Sequence, residues 1–572
     1  MTAGPAPSIA PEGLAAYFKD DELVARLKAL TEAHPGLAEL VEVGRSYEGR
    51  TIWALEVTNR ATGPAREKPA TYLEGNIHAG EVTGSAVCLY IAGYLLDCYG
   101  RDERVTALLD QRSFYILPRV NPDGAELYLT SPRMIRSSVR PYPEEQEKDG
   151  LYAADVDGNG EILLMRVPDP EGDFVISTKD PRLMVKRGPK DRRGPFYRLY
   201  NEGYVRSPQG GPMKPAPPLE GLDTNRNWPA NWAPEHKQHG AGPFPLSEPE
   251  TRAVAEYMLA RRNIAVVNTY HTAVGMLLRP FSAKGDEAMP KEDLACFNAL
   301  GRRGEELTGY AYRATFAEFA GGNPLHGDYQ DWSYEHLGQF AWCTELWDVW
   351  ARAGLRDGDR HRHRGKDDEL ALLRWNDREL AGQGFAPWRP FDHPQLGRVE
   401  VGGWRRKFFL QNPPPALLLG EAHKNLLWVL DLAESGPLLR LDRVTATPLG
   451  AGLYRLEATV RNGGFLPTGG TVMAVQAKAV KPSAVEVEAP GFRIVFGKDR
   501  TELDDLQGIA AGALGQSHWG ASPETNLETK LTWALKRDEA PGGTAMAPPG
   551  RVTVTVRSER AGTARVAVDL PL

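Results

Sequence analysis

The chain has 572 residues, which is long enough for several domains of roughly 100–200 residues each. Its 75 acidic and 68 basic residues give a net charge of −7, which disfavours a dedicated nucleic-acid-binding protein. Hydrophobic residues make up 41% of the chain, so we expect a folded protein, and the sequence contains no apolar run of about 18 residues that would predict a membrane span.

The first part of the chain, residues 1–436, alternates helical and strand patterns. In chain order, the patterns predict a helix at 20–30, strands at 51–59 and 71–76, a helix at 80–99, a strand at 113–120 with a tight turn at 121–124, a helix at 248–261 capped by Ser247, a strand at 264–270 and a helix at 416–432. Strands that alternate with helices predict an α/β domain whose sheet is covered on both faces.

Two regions depart from this pattern. Residues at about 141–222 lose periodicity and gain Gly, Pro and charged residues, which predicts an insertion packed on the rim of the sheet. From about residue 441 the pattern changes to short alternating segments separated by Gly- and Pro-rich turns, which predicts a β-sandwich in residues 437–572. Its predicted strands are 453–460, 471–480, 492–496, 551–556 and 564–570.

A histidine and a glutamate, His78 and Glu81, lie three residues apart where the strand at 71–76 gives way to the following helix. The two side chains can converge on one point. Such pairs also occur by chance, and the helix dipole favours an acid in the first turn, so a purely structural role stays open.

Two further polar side chains stand in predicted buried strands. His271 ends the strand at 264–270, and Glu345 lies within the almost wholly apolar segment 340–347. Catalytic zinc sites commonly use two His, one Glu and a water, and a nearby carboxylate can act as general base. A core histidine and a buried ion pair are the structural alternatives.

The order of these motifs over about residues 20–435 resembles the zinc metallocarboxypeptidase family of the carboxypeptidase A type. The resemblance implies a mixed, mostly parallel central sheet with helices on both faces. It also implies one catalytic Zn²⁺ bound by His78, Glu81 and His271, with Glu345 as the general base that takes a proton from the zinc-activated water. The expected substrate is a peptide with a free C-terminus, whose last peptide bond is hydrolysed.

Further residues are carried over from the same resemblance. Counting from the turn at 121–124, Arg133 and Arg136 fall where the family keeps two arginines, the second of which stabilises the oxyanion. Asn225 and Arg226 match the pair that binds the substrate carboxylate, and an Arg fork suits a carboxylate. Gln330 takes the position at the floor of the side-chain pocket, ahead of the pocket-wall segment 331–338, and indicates neutral or polar substrate side chains.

The sequence departs from the family pattern at several positions. Gly80 stands between the first two ligands, where an arginine is usual, and Ala273 follows Thr272 where an aromatic residue is usual. The tyrosine that folds over bound substrate has no clear counterpart near Phe319 or Tyr329. Closure of the site is therefore expected to differ.

The insertion contains a segment that matches the first half of a calcium-binding loop. Asp155, Asp157, Asn159 and Glu161 would supply alternate oxygen ligands for Ca²⁺. The twelfth position is Arg166, where a bidentate Glu is expected, so a simple Asp/Asn/Gly turn is the alternative.

We expect a zinc-dependent carboxypeptidase with a C-terminal sandwich of unknown role. The alternatives are an amidase or peptidase of the same fold that acts on cell-wall peptides or acylated amino acids, and a non-catalytic binding protein. The scattered cysteines and an N-terminus without the pattern of a signal peptide favour a cytoplasmic protein, the alternative being a secreted protein whose signal peptide has been removed. We expect neither nucleic-acid nor membrane partners. The oligomeric state stays open.

Overall fold

The computed structural model describes residues 16–143, 146–207, 212–355, 366–509, 526–538 and 550–570. Within these ranges no helix has the length and apolar character needed to cross a bilayer. The helices are α1 (Asp20–Ala33), α2 (Thr83–Cys98), α3 (Glu103–Gln111), α4 (Pro122–Thr130), α5 (Pro249–Leu259), α6 (Lys291–Thr308), α7 (Tyr329–Glu335), α8 (Val349–Arg352), α9 (Lys366–Leu380), α10 (Pro415–Ser435) and α11 (Val472–Gln476).

The strands fall into a large central sheet, a sheet built around the insertion, and the C-terminal sheets. They are β1 (Ala38–Arg45), β2 (Thr51–Val57), β3 (Ala70–Gly75), β4 (Ser113–Leu117), β5 (Gly150–Ala153), β6 (Leu164–Pro168), β7 (Phe174–Ile176), β8 (Met184–Lys186), β9 (Tyr197–Asn201), β10 (Gly203–Arg206), β11 (Ile264–Thr272), β12 (Met276–Arg279), β13 (Ala311–Ala314), β14 (Phe340–Leu346), β15 (Phe385–His393), β16 (Gly397–Trp404), β17 (Leu439–Gly450), β18 (Leu453–Asn462), β19 (Ala484–Glu488), β20 (Phe492–Phe496), β21 (Arg500–Glu502), β22 (Glu528–Arg537), β23 (Gly550–Ser558) and β24 (Gly562–Leu570).

The central sheet has the order β1-β2-β4-β3-β11-β14-β12-β13. The pairs β4–β3, β3–β11, β11–β14 and β12–β13 are parallel, and the others are antiparallel. Successive side chains of a strand point to opposite faces, so Leu73 and Val266 pack with α2, α6 and α10, whereas Tyr72 and Val267 pack with α5. The predicted α/β fold class is confirmed.

The insertion forms strands that pair with a distant part of the chain. The strands β6 to β9 join the hairpin β15–β16 in a sheet of order β15-β16-β6-β9-β7-β8, and β5 pairs with β10. An apolar cluster that includes Leu163, Met165, Val399 and Val401 holds the two segments together.

The C-terminal region consists of two four-stranded antiparallel sheets, β17-β18-β22-β20 and β21-β19-β23-β24. They enclose one apolar core to which both sheets contribute. Among its members are Leu456, Val485, Trp533, Leu535 and Val554, all at most 1% exposed. This arrangement is the further β-sheet region that the sequence predicts.

Three local predictions are wrong. Residues 121–124 do not form a tight turn but open α4, because Pro122 occupies its first position and Asn121 Oδ1 accepts a hydrogen bond from Gly124 N (2.9 Å). Residues 471–480 contain the helix α11 instead of a strand, with Thr471 as its N-cap. Ser247 does not cap α5, since its hydroxyl donates to Glu248 Oε1 (2.7 Å).

Candidate metal centre and active site

The segment between β3 and α2 holds the first two predicted ligands in a fixed turn. Asn76 adopts a left-handed φ of 62°, and its Nδ2 donates to the carbonyl oxygens of His78 (2.6 Å) and Ala79 (3.1 Å). The backbone of Gly75 approaches α2 so closely that a Cβ there would lie 2.5 Å from the Gly84 carbonyl carbon. His78 and Glu81 are thereby fixed at the carboxyl end of β3.

The other two predicted residues come from neighbouring parallel strands. His271 and Glu345 are direct partners across the β11–β14 pair, near the carboxyl end of each strand. Carboxyl ends of adjacent parallel strands meet at one edge of a sheet, which is where α/β proteins build their sites. Four residues from three distant segments of the chain therefore line one cavity of about 200 Å³.

The three predicted ligands meet at contact distance. Glu81 Oε1 lies 3.0 Å from His78 Nδ1, and Glu81 Oε2 lies 3.0 Å from His271 Nδ1. The two Nδ1 atoms are 3.1 Å apart, and all three residues are at most 3% exposed. These side chains form one of the clusters of potential metal ligands among the described residues.

This cluster has the chemistry of a zinc site. Each Nδ1 faces the other imidazole as well as the carboxylate, so a cation that takes up three lone pairs satisfies all of the contacts at once. Two imidazole nitrogens and one carboxylate oxygen are a donor set that catalytic zinc prefers, with a fourth position left for water or substrate. The residues therefore fit Zn²⁺.

Asp223 contacts His78 at Nε2, the ring nitrogen that does not face Glu81 and His271. Its Oδ1 lies 3.0 Å from His78 Nε2, and its Oδ2 accepts from Arg136 Nε (2.9 Å). Burial alone would raise the pKa of Asp223, but Arg136, His78 and Arg226 outweigh it and hold that pKa well below its usual range. An ionised Asp223 fixes the orientation of the His78 ring and leaves Nδ1 directed at the metal position.

The ligands are also tuned by one another. Burial and Arg136 act to lower the pKa of His78, and the carboxylates of Glu81 and Asp223 outweigh them, so the pKa is raised. Burial would raise the pKa of Glu81, but His78 and His271 bring it below its ordinary value. Glu81 is therefore an ionised ligand in a dry site.

Two arginines line the cavity together with the ligands. Arg136 NH1 is 3.5 Å from Glu81 Oε1, and Arg226 lies 3.5 Å from Asp328 Oδ2. Asn225 lines the same cavity, and its Oδ1 accepts from Tyr329 N (2.9 Å) while its Nδ2 donates to Asp328 (3.3 Å). An anion that enters the cavity meets two guanidinium groups.

Arg133 does not join this group. Its NH2 donates to Glu220 Oε1 of the insertion (2.6 Å), and it lines a separate cavity with Ile135 and Arg406. The predicted substrate contact of Arg133 is therefore not present in this arrangement. Spacing along the chain could not reveal the partner because Glu220 lies 87 residues away.

Gln330 is buried at 2% exposure and lines the cavity beside Thr315 and Leu278. Its Nε2 donates to Thr315 Oγ1 (2.7 Å) and to Ser282 Oγ (3.2 Å). The Thr315 hydroxyl donates its one proton to the carbonyl of Arg279 (2.8 Å). Its Oγ1 can therefore only accept from Gln330, which assigns the amide nitrogen and not the oxygen to this contact. Gln330 Oε1 has no donor among the described residues.

The departures from the family pattern have a structural counterpart. A Cβ at Gly80 would lie 2.8 Å from Gln411 Nε2 and 2.8 Å from Tyr128 Cε2, so these side chains fill the space next to the ligands. Phe319 lines the cavity, whereas Tyr329 is fully buried against Trp228. Among the described residues that line the cavity, Phe319 is the one with a phenyl, phenol or indole ring.

The predicted calcium loop is only partly assembled. Asp155 and Asp157 lie close to Glu202, which the sequence did not indicate, whereas Glu161 forms an ion pair with Arg405. Oxygens of Asp155 and Glu202 already accept backbone N–H groups. Calcium binding stays a prediction that the comparisons below do not support.

Sequence reasoning missed the roles of Asp223 and Asp328. Both cap short helical turns, since Asp223 accepts from Asn225 N and Asp328 accepts from Gln330 N. An Asp two residues ahead of a predicted substrate residue was the available signal in each case. The capping pattern does not reveal that Asp223 also contacts His78 and Arg136, or that the second oxygen of Asp328 contacts Asn225 and Arg226.

Comparisons with known proteins agree with this geometry. Residues 23–351 match the family model described as zinc carboxypeptidase, and residues 438–569 match a model described only as a domain of unknown function. Human carboxypeptidase A6 is 24% identical over 343 residues, which cover 58% of this chain and 60% of that protein. The zinc carboxypeptidase of Saccharothrix mutabilis subsp. capreolus is 34% identical over 116 residues, 20% of this chain and 26% of that protein.

Solved structures are similar at lower identity. The carboxypeptidase A from Helicoverpa armigera has 17% identity and a TM-score of 0.41, covering 65% of this chain and 71% of that one. The chain spans about 60% of the length of the human relative. Because the zinc carboxypeptidase model covers more than half of the 572 residues, the chain belongs to the zinc carboxypeptidase family.

Proposed function

We propose that this protein is a metallocarboxypeptidase that removes the C-terminal residue of peptides. One observation carries the proposal: the metal-ligand cluster and the guanidinium of Arg226 line the same cavity of about 200 Å³. A guanidinium presents a planar fork that matches a carboxylate. In so small a cavity, a bound terminal carboxylate brings the last peptide bond, rather than an internal one, to the ligand cluster.

The side chains divide the reaction among them. Zn²⁺ bound by His78, Glu81 and His271 would supply Lewis acidity to the scissile carbonyl and lower the pKa of water at the site. Glu345 takes a proton from the attacking water and passes it to the leaving amine. Arg136 stabilises the negative charge that develops on the carbonyl oxygen in the transition state.

The pocket around Gln330 favours substrate side chains that donate a hydrogen bond. Its Oε1 is an acceptor without a partner among the described residues, and a buried acceptor gains by meeting a donor. We therefore expect a C-terminal Gln to be preferred to Glu of the same size, because ionised Glu has no donor. Gln330→Met should reduce this preference by roughly tenfold, as measured by kcat/KM on peptides that differ only in the last residue.

The test is a digestion of a mixed peptide library followed by mass spectrometry, with and without a chelator. We expect ladders that shorten only from the C-terminus and that stop when the metal is removed. Peptides with an amidated C-terminus should be cleaved very poorly. Internal cleavage, or equal cleavage of amidated peptides, would contradict the proposal and favour an amidase or peptidase of the same fold.

A variant makes the test specific to the carboxylate contact. Arg226→Met should raise KM for peptides with a free C-terminus by about 10- to 100-fold, because the lost ion pair with a desolvated carboxylate costs about 1.5–3 kcal/mol. The residual activity on amidated peptides should not change. Arg133→Met is the matched control, since Arg133 contacts Glu220 outside the cavity.

A further inference from the structure

The C-terminal sandwich, made of the sheets that contain β17 to β24, contacts the preceding α/β domain at the end of α7. We call that domain, which holds the metal-ligand cluster, the catalytic region. Thr471 Oγ1 donates to the Gly338 carbonyl (3.0 Å), and Arg560 NH2 donates to the Leu337 carbonyl (2.5 Å). A Cβ at Gly338 would lie 2.2 Å from Ala474 Cβ, so α11 of the sandwich packs directly on the loop that follows α7. The loop cannot shift without displacing α11.

One buried carboxylate joins the two regions. Asp293, on α6, accepts hydrogen bonds from Val472 N (2.7 Å) and Met473 N (3.2 Å) of α11. The same carboxylate accepts from Tyr334 OH of α7 (2.8 Å). Asp293 is 2% exposed and Tyr334 is fully buried, so water does not compete for these bonds. Asp293 thus ties α7 to the first turn of α11.

The other end of α7 reaches the cavity. Asp328 caps this helix through Gln330 N (2.9 Å), and its second oxygen contacts Asn225 Nδ2 and Arg226 NH1. Asn225 in turn accepts from Tyr329 N (2.9 Å). The helix has 7 residues, so it is only about 10 Å long and transmits a displacement of one end to the other.

We propose that the C-terminal sandwich is a structural support for α7, and that Asp293 and Tyr334 are positioning residues for the substrate fork formed by Asn225 and Arg226. The contacts run without a break from α11 through Asp293 and α7 to the cavity. This inference rests on the proposed carboxypeptidase function and gives the second region a role in substrate binding. The metal ligands lie on other elements, so the support acts on substrate affinity and not on metal binding.

A second contact between the two regions provides a control. Arg557 of β23 lies 3.7 Å from Glu67, which is half-exposed and remote in sequence from α7. Glu67→Ala removes this ion pair and leaves the contacts of Asp293 intact. Such an exposed pair contributes little to stability, so the variant should fold normally.

The kinetic experiment compares Asp293→Ala, Tyr334→Phe and Glu67→Ala in the full-length protein with zinc bound. We expect Asp293→Ala to raise KM for peptides with a free C-terminus by about fivefold or more, with kcat within about twofold of wild type. Tyr334→Phe keeps the ring packing against Phe281 and Phe297 and should raise KM by about twofold to threefold. Glu67→Ala should change neither parameter, and zinc content should be equal in all four proteins.

Hydrogen exchange tests the support without using catalysis. In Asp293→Ala, amides of α7 and of the segment 224–228 should exchange about tenfold faster, while those of α10 stay as in wild type. If wild type does not hydrolyse peptides but these amides respond, the carboxypeptidase function fails and the support stands. Unchanged exchange at α7, or an unchanged KM in a folded Asp293→Ala protein, would overturn the support.

Discussion

The catalytic region and the C-terminal sandwich have different kinds of interior. At the strand ends of the central sheet, His78, Glu81, His271 and Asp223 are enclosed together, and each contacts a partner of opposite or complementary charge. The sandwich core consists of aliphatic and aromatic side chains. Among the described residues of 439–570, Arg560 is the one buried charged side chain, and it faces the catalytic region.

The difference shows where this protein retains buried charged groups, which are unfavourable to remove from water. An unpaired buried charge costs several kcal/mol, so buried ionic groups persist where they are paired and used in chemistry. The sandwich forms from apolar alternation and has no need of such groups. Substitutions of the polar residues that line the cavity should therefore change chemistry with little effect on folding, whereas substitutions in the sandwich core should change stability with little effect on chemistry.

The largest effect should come from Glu345→Gln, which tests the catalytic side of the comparison. The amide cannot take a proton from water, so kcat should fall by about 10²- to 10⁴-fold. Bound zinc should stay equimolar because the three ligands are intact, and the melting temperature should stay close to that of wild type. Turnover and zinc content are measured on the same preparation. A zinc-loaded variant that kept the wild-type kcat would show that Glu345 is not the general base.

Asp223→Ala tests whether the paired charges around the metal position work as a unit. Without Asp223 the His78 ring loses its fixed orientation, so zinc affinity should fall by about 10- to 100-fold. Asp223→Asn keeps an acceptor for His78 and should lose less. Competition with a chelator measures the affinity, and equal values for the three proteins would show that His78 is oriented by something else.

Val554→Ala tests the opposite expectation for the sandwich. Val554 is fully buried in its core, so the substitution should lower the free energy of unfolding by about 2 kcal/mol in urea denaturation. At temperatures well below the transition, kcat and zinc content should match those of wild type. A loss of kcat in the folded variant would mean that the two interiors are not independent in the way proposed.

The cluster of candidate metal ligands could be predicted from the sequence because the order of its motifs resembles that of the zinc carboxypeptidases and its residues stand at strand ends or in apolar segments. His271 follows a mostly apolar predicted strand and Glu345 lies in an almost wholly apolar segment, whereas His78 and Glu81 stand at a strand–helix junction. The ion-pair partners of Arg133 and Glu161 could not be predicted from the sequence. Glu220 and Arg405 lie 87 and 244 residues away, and their contacts follow from how the insertion folds back onto the domain.

The wrong prediction at 471–480 has the same origin in tertiary contacts, whereas those at 121–124 and Ser247 concern local helix capping. Residues 471–480 read as a strand by composition, yet α11 forms there because Thr471 caps it and Asp293 accepts its first N–H groups. The hairpin β15–β16 was not predicted, and in the structure its strand β16 also pairs with β6 of the insertion.

The most gradual expected effect concerns Glu74, a carboxyl of β3 buried inside the central sheet. Burial raises its pKa to about 7, although Tyr72 OH and Thr269 Oγ1 donate hydrogen bonds to it. The folded protein therefore keeps a proton that the unfolded chain has released between about pH 4.5 and 7. The free energy of unfolding should fall with rising pH across this window, by at most about 1.4 kcal/mol per pH unit from this group.

Glu74→Gln removes this contribution, since the amide does not titrate. Denaturation at several pH values gives the free energy of unfolding as a function of pH. Below pH 7 this free energy should decline less steeply for the variant than for wild type, and above pH 7 the two should run parallel. Some decline should remain because burial also raises the pKa of Glu250 to about 7. Val554→Ala should shift the whole curve down without changing its slope, because the sandwich core contains no titrating group at that position. Equal slopes for Glu74→Gln and wild type would mean that Glu74 titrates alike in the folded and unfolded protein, and the contrast between the two interiors would then rest on the metal site alone.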